Sequence, residues 1–157
     1  MNYKKGFSVV EIIIASAIVT LVGVAITSSL LAYINISMKN SRNVQTALLF
    51  EETAEALQFM RDQSWSTNIA SLAKETPYYL VWNGNIFVST TTTTLHHNIY
   101  SRTFTLYEVK RDGSDAISDS GSIDPDTLRA TISVSWLDGD NTESRTTDTL
   151  IHNTYEN

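Results

Sequence analysis

The residues with the most specific chemistry stand at the start of the chain. Lys4, Lys5, Gly6, Phe7, Ser8 and Glu11 lead into an apolar run from Val9 to Ile36, in which Glu11 is the sole charge; the next is Lys39. A carboxylate inside such a run costs about 2.5–3.5 kcal/mol on insertion scales, so it calls for a cation or a proton. The run exceeds the roughly 20 residues that cross a bilayer as a helix, and the two lysines fit the cytoplasmic side. A secretory signal is a poor reading, because its apolar core is uninterrupted and ends at a small-residue cleavage site.

Other chemistry-bearing residues admit plainer readings. Asp112, Asp115, Asp119, Asp124 and Asp126 crowd one segment, expected as a loop between strands, and carboxylates this close could hold Ca²⁺, which takes six to eight oxygen ligands. Their spacing departs from an EF-hand, since Gly113 falls where a spacer should stand and no Glu closes the loop, so a solvated acidic loop is expected. His96 and His97 would point to opposite faces of a strand, and His152 lies far along the chain, which argues against a metal or catalytic set. Trp82 and Trp136 are expected as core anchors. Trp65, Tyr78, Tyr79, Tyr100 and Tyr107 add to an aromatic set that would otherwise form an adhesive surface. No phosphate loop, nucleophile elbow or supported Ser-His-Asp order occurs, so an enzyme is not expected.

The elements that position these residues emerge from periodicity. The chain stays helix-compatible to about Asp62, with no Pro before Pro77. Val44, Ala47, Leu48, Ala54 and Leu57 suggest an apolar stripe along the second half of one long helix. Gly23 sits within the apolar run, where a packing role and mere tolerance are equally good readings. Tyr78–Trp82 and Ile86–Thr90 flank Asn83-Gly84-Asn85, a strong hairpin signal. Arg102–Lys110 alternates as a strand, with Phe104, Leu106 and Glu108 on one face and Thr105, Tyr107 and Val109 on the other. Leu128–Trp136 alternates most clearly, with Leu128, Ala130, Ile132, Val134 and Trp136 together. A turn at Asp138-Gly139-Asp140-Asn141 leads to a polar last strand, Glu143–Ile151, suited to a sheet edge. The expected fold is α+β: a long N-terminal helix, transmembrane in its first half and amphipathic in its second, packed on a small antiparallel sheet.

Composition sets outer bounds. The 157 residues suffice for one membrane segment and one small soluble domain. The net charge of −6, which becomes −8 without Lys4 and Lys5, makes duplex nucleic acid a poor partner. Absence of Cys excludes disulfides, Cys-based zinc sites and thiol catalysis.

The string Lys5-Gly6-Phe7-Ser8-Val9-Val10-Glu11 resembles the cleavage and methylation motif of type IV prepilins and pseudopilins. The resemblance implies a leader over residues 1–6, cleaved by prepilin peptidase between Gly6 and Phe7, with methylation of the new Phe7 amine. It implies a transmembrane and filament-core helix over 7–36 and a soluble pilin-like domain over 37–157. Glu11 would pair with the Phe7 amine of a neighbouring subunit. Val134-Ser135-Trp136, Leu137-Asp138-Gly139 and a Thr-rich end near Asn153 are similar to PilV-like minor pilins. The resemblance thus implies a structural subunit of a type IV pilus, with other pilin subunits, prepilin peptidase and an inner-membrane assembly platform as partners. Before assembly it would be a single-pass protein of the inner membrane with its soluble domain outside the cytoplasm, and afterwards part of an extracellular pilus or periplasmic pseudopilus. A pseudopilin of a type II secretion or competence system, a major pilin and a non-polymerising membrane-tethered binding module are the alternatives. No cofactor is implied other than Ca²⁺ at the clustered aspartates.

Overall fold

The computed structural model describes residues 6–154, so Lys4 and Lys5 lie outside the described residues. One α-helix, α1, covers Val9–Gln63, and six strands come after it: β1 Pro77–Trp82, β2 Phe87–Thr90, β3 Leu95–His96, β4 Tyr100–Arg111, β5 Ser122–Asp138 and β6 Asn141–His152. The chain divides into two compact units, the first ending at Val44 and the second running from Gln45. The fold class is thus α+β, with an antiparallel sheet.

The first unit is helix without a core. Its apolar side chains from Val9 to Ile36 are all exposed, and the helix is long and apolar enough to cross a membrane. Its hydroxyls are turned inward to the backbone. Ser16, Thr20, Thr27, Ser28 and Ser29 each donate to a carbonyl three or four residues earlier, at 2.8–2.9 Å. A hydroxyl satisfied this way presents mainly hydrocarbon to its surroundings.

In the second unit the sheet runs β2-β1-β4-β5-β6, with β3 pairing β4 beside this path. The inner face of β5 carries Leu128, Ala130, Ile132, Val134 and Trp136, as its alternation predicts, and all five are buried. Leu128, Ala130 and Ile132 cluster with Ala56, Leu57 and Met60 of α1, with Trp65 and Ile69, and with Phe104 and Leu106 of β4, whereas Val134 and Trp136 cluster with Leu49 of α1 and Tyr100 of β4. The helix ends where Ser64 N–H and the Asn68 side-chain amide both donate to the Met60 carbonyl. A π-helical turn, Ser66–Ala70, then tucks Ile69 into the core.

The hairpin between β1 and β2 closes on residues 83–86. Gly84 has φ +103°, which a Cβ would strain, and the Asn83 side chain accepts hydrogen bonds from Asn85 and Ile86 N–H. β6 forms an edge that is almost wholly exposed, where Glu143, Arg145 and Asp148 discourage pairing with a further strand.

Four expectations are corrected. The buried helix stripe is Thr46, Leu49, Thr53, Ala56, Leu57 and Met60, whereas Val44, Ala47 and Leu48 are exposed and Ala54 only partly buried. Thr53 Oγ1 donates to the Leu49 carbonyl at 2.6 Å, so its methyl can act as an apolar contact. Val109 is buried and Glu108 exposed, because a register shift between them reverses the strand's faces. Trp82 is 55% exposed. It lies beyond the part of β1 that pairs with β4, Pro77–Tyr79, and rests edge-on against Phe87 instead. Asp124 and Asp126 belong to β5 and not to a loop, since β5 begins at Ser122.

The observed stripe makes a simple prediction. Leu57→Ala should lower unfolding free energy by about 2–5 kcal/mol, and Leu48→Ala should stay within about 0.5 kcal/mol. Denaturant unfolding of the full chain, tracked by tryptophan fluorescence, would reveal the opposite order if the stripe runs through Leu48.

Candidate functional site

The N-terminal motif lies at the start of α1. Gly6 and Phe7 precede the helix in irregular, exposed backbone, and Phe7 is 83% exposed. Nothing lies within 4 Å of a Cβ built on Gly6. A protease therefore meets no folded structure at the Gly6–Phe7 bond among the described residues. Phe7, Glu11, Ile12, Ala15, Ser16 and Val19 line one shallow, mostly apolar groove of about 500 Å³.

Ser8 and Glu11 form a capping box. Ser8 Oγ accepts from Val10 N–H at 3.3 Å, and Glu11 Oε2 accepts from Ser8 N–H at 3.2 Å. Two N–H groups that the first helical turn leaves unpaired are thereby satisfied. A carboxylate in that turn also complements the positive end of the helix dipole. Glu11 thus has a partner within its own chain. The cost of a membrane carboxylate points only to a cation or proton, whereas Ser-x-x-Glu ahead of an apolar run signals this internal partner.

Four of the five aspartates of the acidic segment, Asp112, Asp115, Asp124 and Asp126, are held by hydrogen bonds within the chain. Arg111 Nε donates to Asp124 Oδ2 at 2.6 Å, and its Nη1 donates to the Asp115 carbonyl at 2.9 Å. Asp112 Oδ1 accepts from Ser114 N–H, Ser114 Oγ and Ala116 N–H. Asp126 N–H donates to Asp124 Oδ1, and the Asn153 amide donates to Asp126 Oδ1. Asp119 is exposed beyond this network. Among the described residues no three His, Cys, Asp or Glu side chains come together as a metal ion requires. The open cavity of about 770 Å³ beside Arg111 is framed by this network and by His152, whose Nδ1 lies 3.0 Å from Thr127 Oγ1. Gly121 is fixed by close approach, since a Cβ there would lie 1.9 Å from the Arg111 carbonyl oxygen.

His96 and His97 are not directed apart as a continuous strand would direct them. β3 ends at His96 and His97 has φ +51°, which brings the two rings to 4.2 Å in an edge-to-face contact. Burial holds His96 below the ordinary histidine pKa, reinforced by Arg102 and His97 and opposed by Glu52.

Asp124 gives a pH signature. Its hydrogen bonds from Arg111, then from Thr127, hold the carboxyl at about 2 rather than 3.8. A depressed folded-state pKa stabilises fully above the unfolded value and ceases to do so as pH falls through the folded one. Asp124→Asn should therefore lower Tm at pH 7, and the gap from the parent chain should close between about pH 4 and pH 2. Calorimetry across that range checks it; a gap independent of pH would assign the loss to packing.

Comparison with known proteins finds no matching family model, no matching curated protein and no matching solved structure.

Proposed function

We propose that this chain is a pilin-like structural subunit, a minor subunit of a type IV pilus or related filament. In this reading prepilin peptidase cuts between Gly6 and Phe7, the apolar helix anchors the subunit in the inner membrane, and the helix later packs against copies in a filament. The observation that carries it is the conjunction at the start of α1: an exposed Gly6-Phe7 segment, a capped helix start with Glu11 in its first turn, and an apolar surface that the chain itself leaves uncovered.

The chemistry is electrostatic rather than catalytic. Cleavage would turn Phe7 N–H into an ammonium, and in a low-dielectric filament core that cation and a neighbour's Glu11 attract more strongly than they would in water. The intrachain bond from Ser8 N–H is a single neutral donor. A charged amine is the stronger partner, because it adds the Coulomb attraction of a full positive charge, which a low dielectric strengthens. Assembly would then exchange the capping bond, or share it, with an intersubunit ion pair. The sheet domain would lie outside the cytoplasm, and its ordered acidic segment and edge strand would face solvent or neighbouring subunits.

Glu11→Gln separates the two duties of this side chain. An amide still accepts the bond from Ser8 N–H, since Gln serves in capping boxes, but it carries no charge for a neighbour's amine. The variant should insert and be cleaved like the parent, yet enter filaments at least about tenfold less efficiently, as expected for loss of one desolvated ion pair. Quantifying the subunit in sheared filaments against the membrane fraction measures this. Normal incorporation would contradict the proposal.

A further inference from the structure

In the second unit, residues of α1, β1, β2, β3 and β4 line an open groove of about 320 Å³. Trp82, Phe87 and Leu95 line its apolar side, and Glu52, His96 and Arg102 its polar side. An adjoining cavity of about 430 Å³ shares Glu52 and His96. Both volumes fall in the range of about 300–1,000 Å³ typical of small-molecule sites.

Arg102 is out of place for a purely structural sheet face. It stands between Tyr100 and Phe104 on the inner side of β4 and is only 5% exposed, where its neighbours form an apolar core. Its charge is balanced, since Glu52 Oε2 lies 2.9 Å from Nη1. Its donors are not. The approach of Glu52 lacks hydrogen-bond geometry, and Nε and Nη1 are buried without a hydrogen-bond partner. Buried donors left unsatisfied are costly, and native structures seldom keep them without a reason. In the lining of the same groove, Trp82 is 55% exposed and its ring makes an edge-to-face contact with Phe87, with centroids 5.1 Å apart.

We propose that this groove binds a neutral pyranose sugar of a glycan. The ion pair has no net charge, so it does not select an anion, and a ligand carboxylate would meet Glu52. The Glu52 side chain is 39% exposed and free to swing toward solvent, and once it does, a sugar hydroxyl can donate to its carboxylate while accepting from the uncovered Arg102 guanidinium, which converts a poorly aligned ion pair into a hydrogen-bonded bridge. A neighbouring hydroxyl can engage His96. The C–H face of the pyranose is apolar and slightly positive, and it suits the half-exposed aromatic ring of Trp82. This assignment is independent of whether the helix assembles into a filament.

The test uses the full chain in lipid nanodiscs free of glycolipid. Methyl glycosides of glucose, galactose, mannose and N-acetylglucosamine serve as neutral probes, with the methyl glycoside of glucuronic acid as the anionic one. Saturation-transfer NMR and tryptophan fluorescence report binding. At least one neutral glycoside should bind saturably, and Trp82→Ala should weaken it at least about tenfold. Because Trp82 is exposed, this variant should keep the parent's circular dichroism. Arg102→Lys, with its fold verified in the same way, should also weaken binding. No saturable binding of any neutral glycoside, affinity unchanged in Trp82→Ala, or preference for the glucuronide would each overturn the proposal.

Discussion

Everything in this chain is conditioned by an apolar helical surface that it does not cover. From Val9 to Ile36 the large aliphatic side chains are half or more exposed, and the hydroxyls between them are folded back on the helix. Fully burying a large apolar side chain is worth about 1.5–3 kcal/mol, so covering these partly exposed ones would be worth on the order of tens of kcal/mol in all. The helix is long and apolar enough to cross a membrane, and a bilayer or other apolar helices would cover that surface. The second unit makes no such demand, since its own helix segment, Trp65, Ile69 and the inner face of the sheet bury one another.

Within that constraint, Glu11 is tolerable because of where it stands. Three positions into the helix it can accept from Ser8 N–H and oppose the partial positive charge of the helix terminus. The same side chain deeper in the run would have only satisfied backbone around it. A capping carboxylate is thus compatible with the membrane and keeps a lone pair for an external cation. This is the property that an assembly contact between identical subunits would use. The Ser8–Glu11 cap also fixes where the helix begins, leaving Gly6 and Phe7 in irregular, exposed backbone.

Much of the architecture is legible in the residues. Regular alternation from Leu128 to Trp136 marks a strand buried on one face, and Asn83-Gly84 marks the β1–β2 hairpin. The misreadings have local causes. Thr46 and Thr53 read as polar in sequence, yet a threonine whose hydroxyl bonds within its helix, as Thr53 does, can take a core position, and this shifts the stripe. The strand faces change at Glu108 and Val109, where a bulge adds residues that no alternation pattern announces. Asp124 and Asp126 suggest a loop because carboxylates are rare in strands, but Arg111 across the ladder holds Asp124. The juxtaposition of Arg102, Glu52 and Trp82 is invisible in sequence because it joins three elements distant along the chain. The capping box is visible as Ser-x-x-Glu, but the cost of a membrane carboxylate draws attention to partners outside the chain.

The most direct test of the account is the mass of the mature N-terminus. Peptide mass spectrometry of the protein from its native membrane, with and without active prepilin peptidase, reads it without ambiguity. The account predicts a chain that begins at methylated Phe7 only when the peptidase is active. A chain that retains residues 1–6 in peptidase-competent cells would contradict it, and the helix would then be a static anchor for the sheet domain.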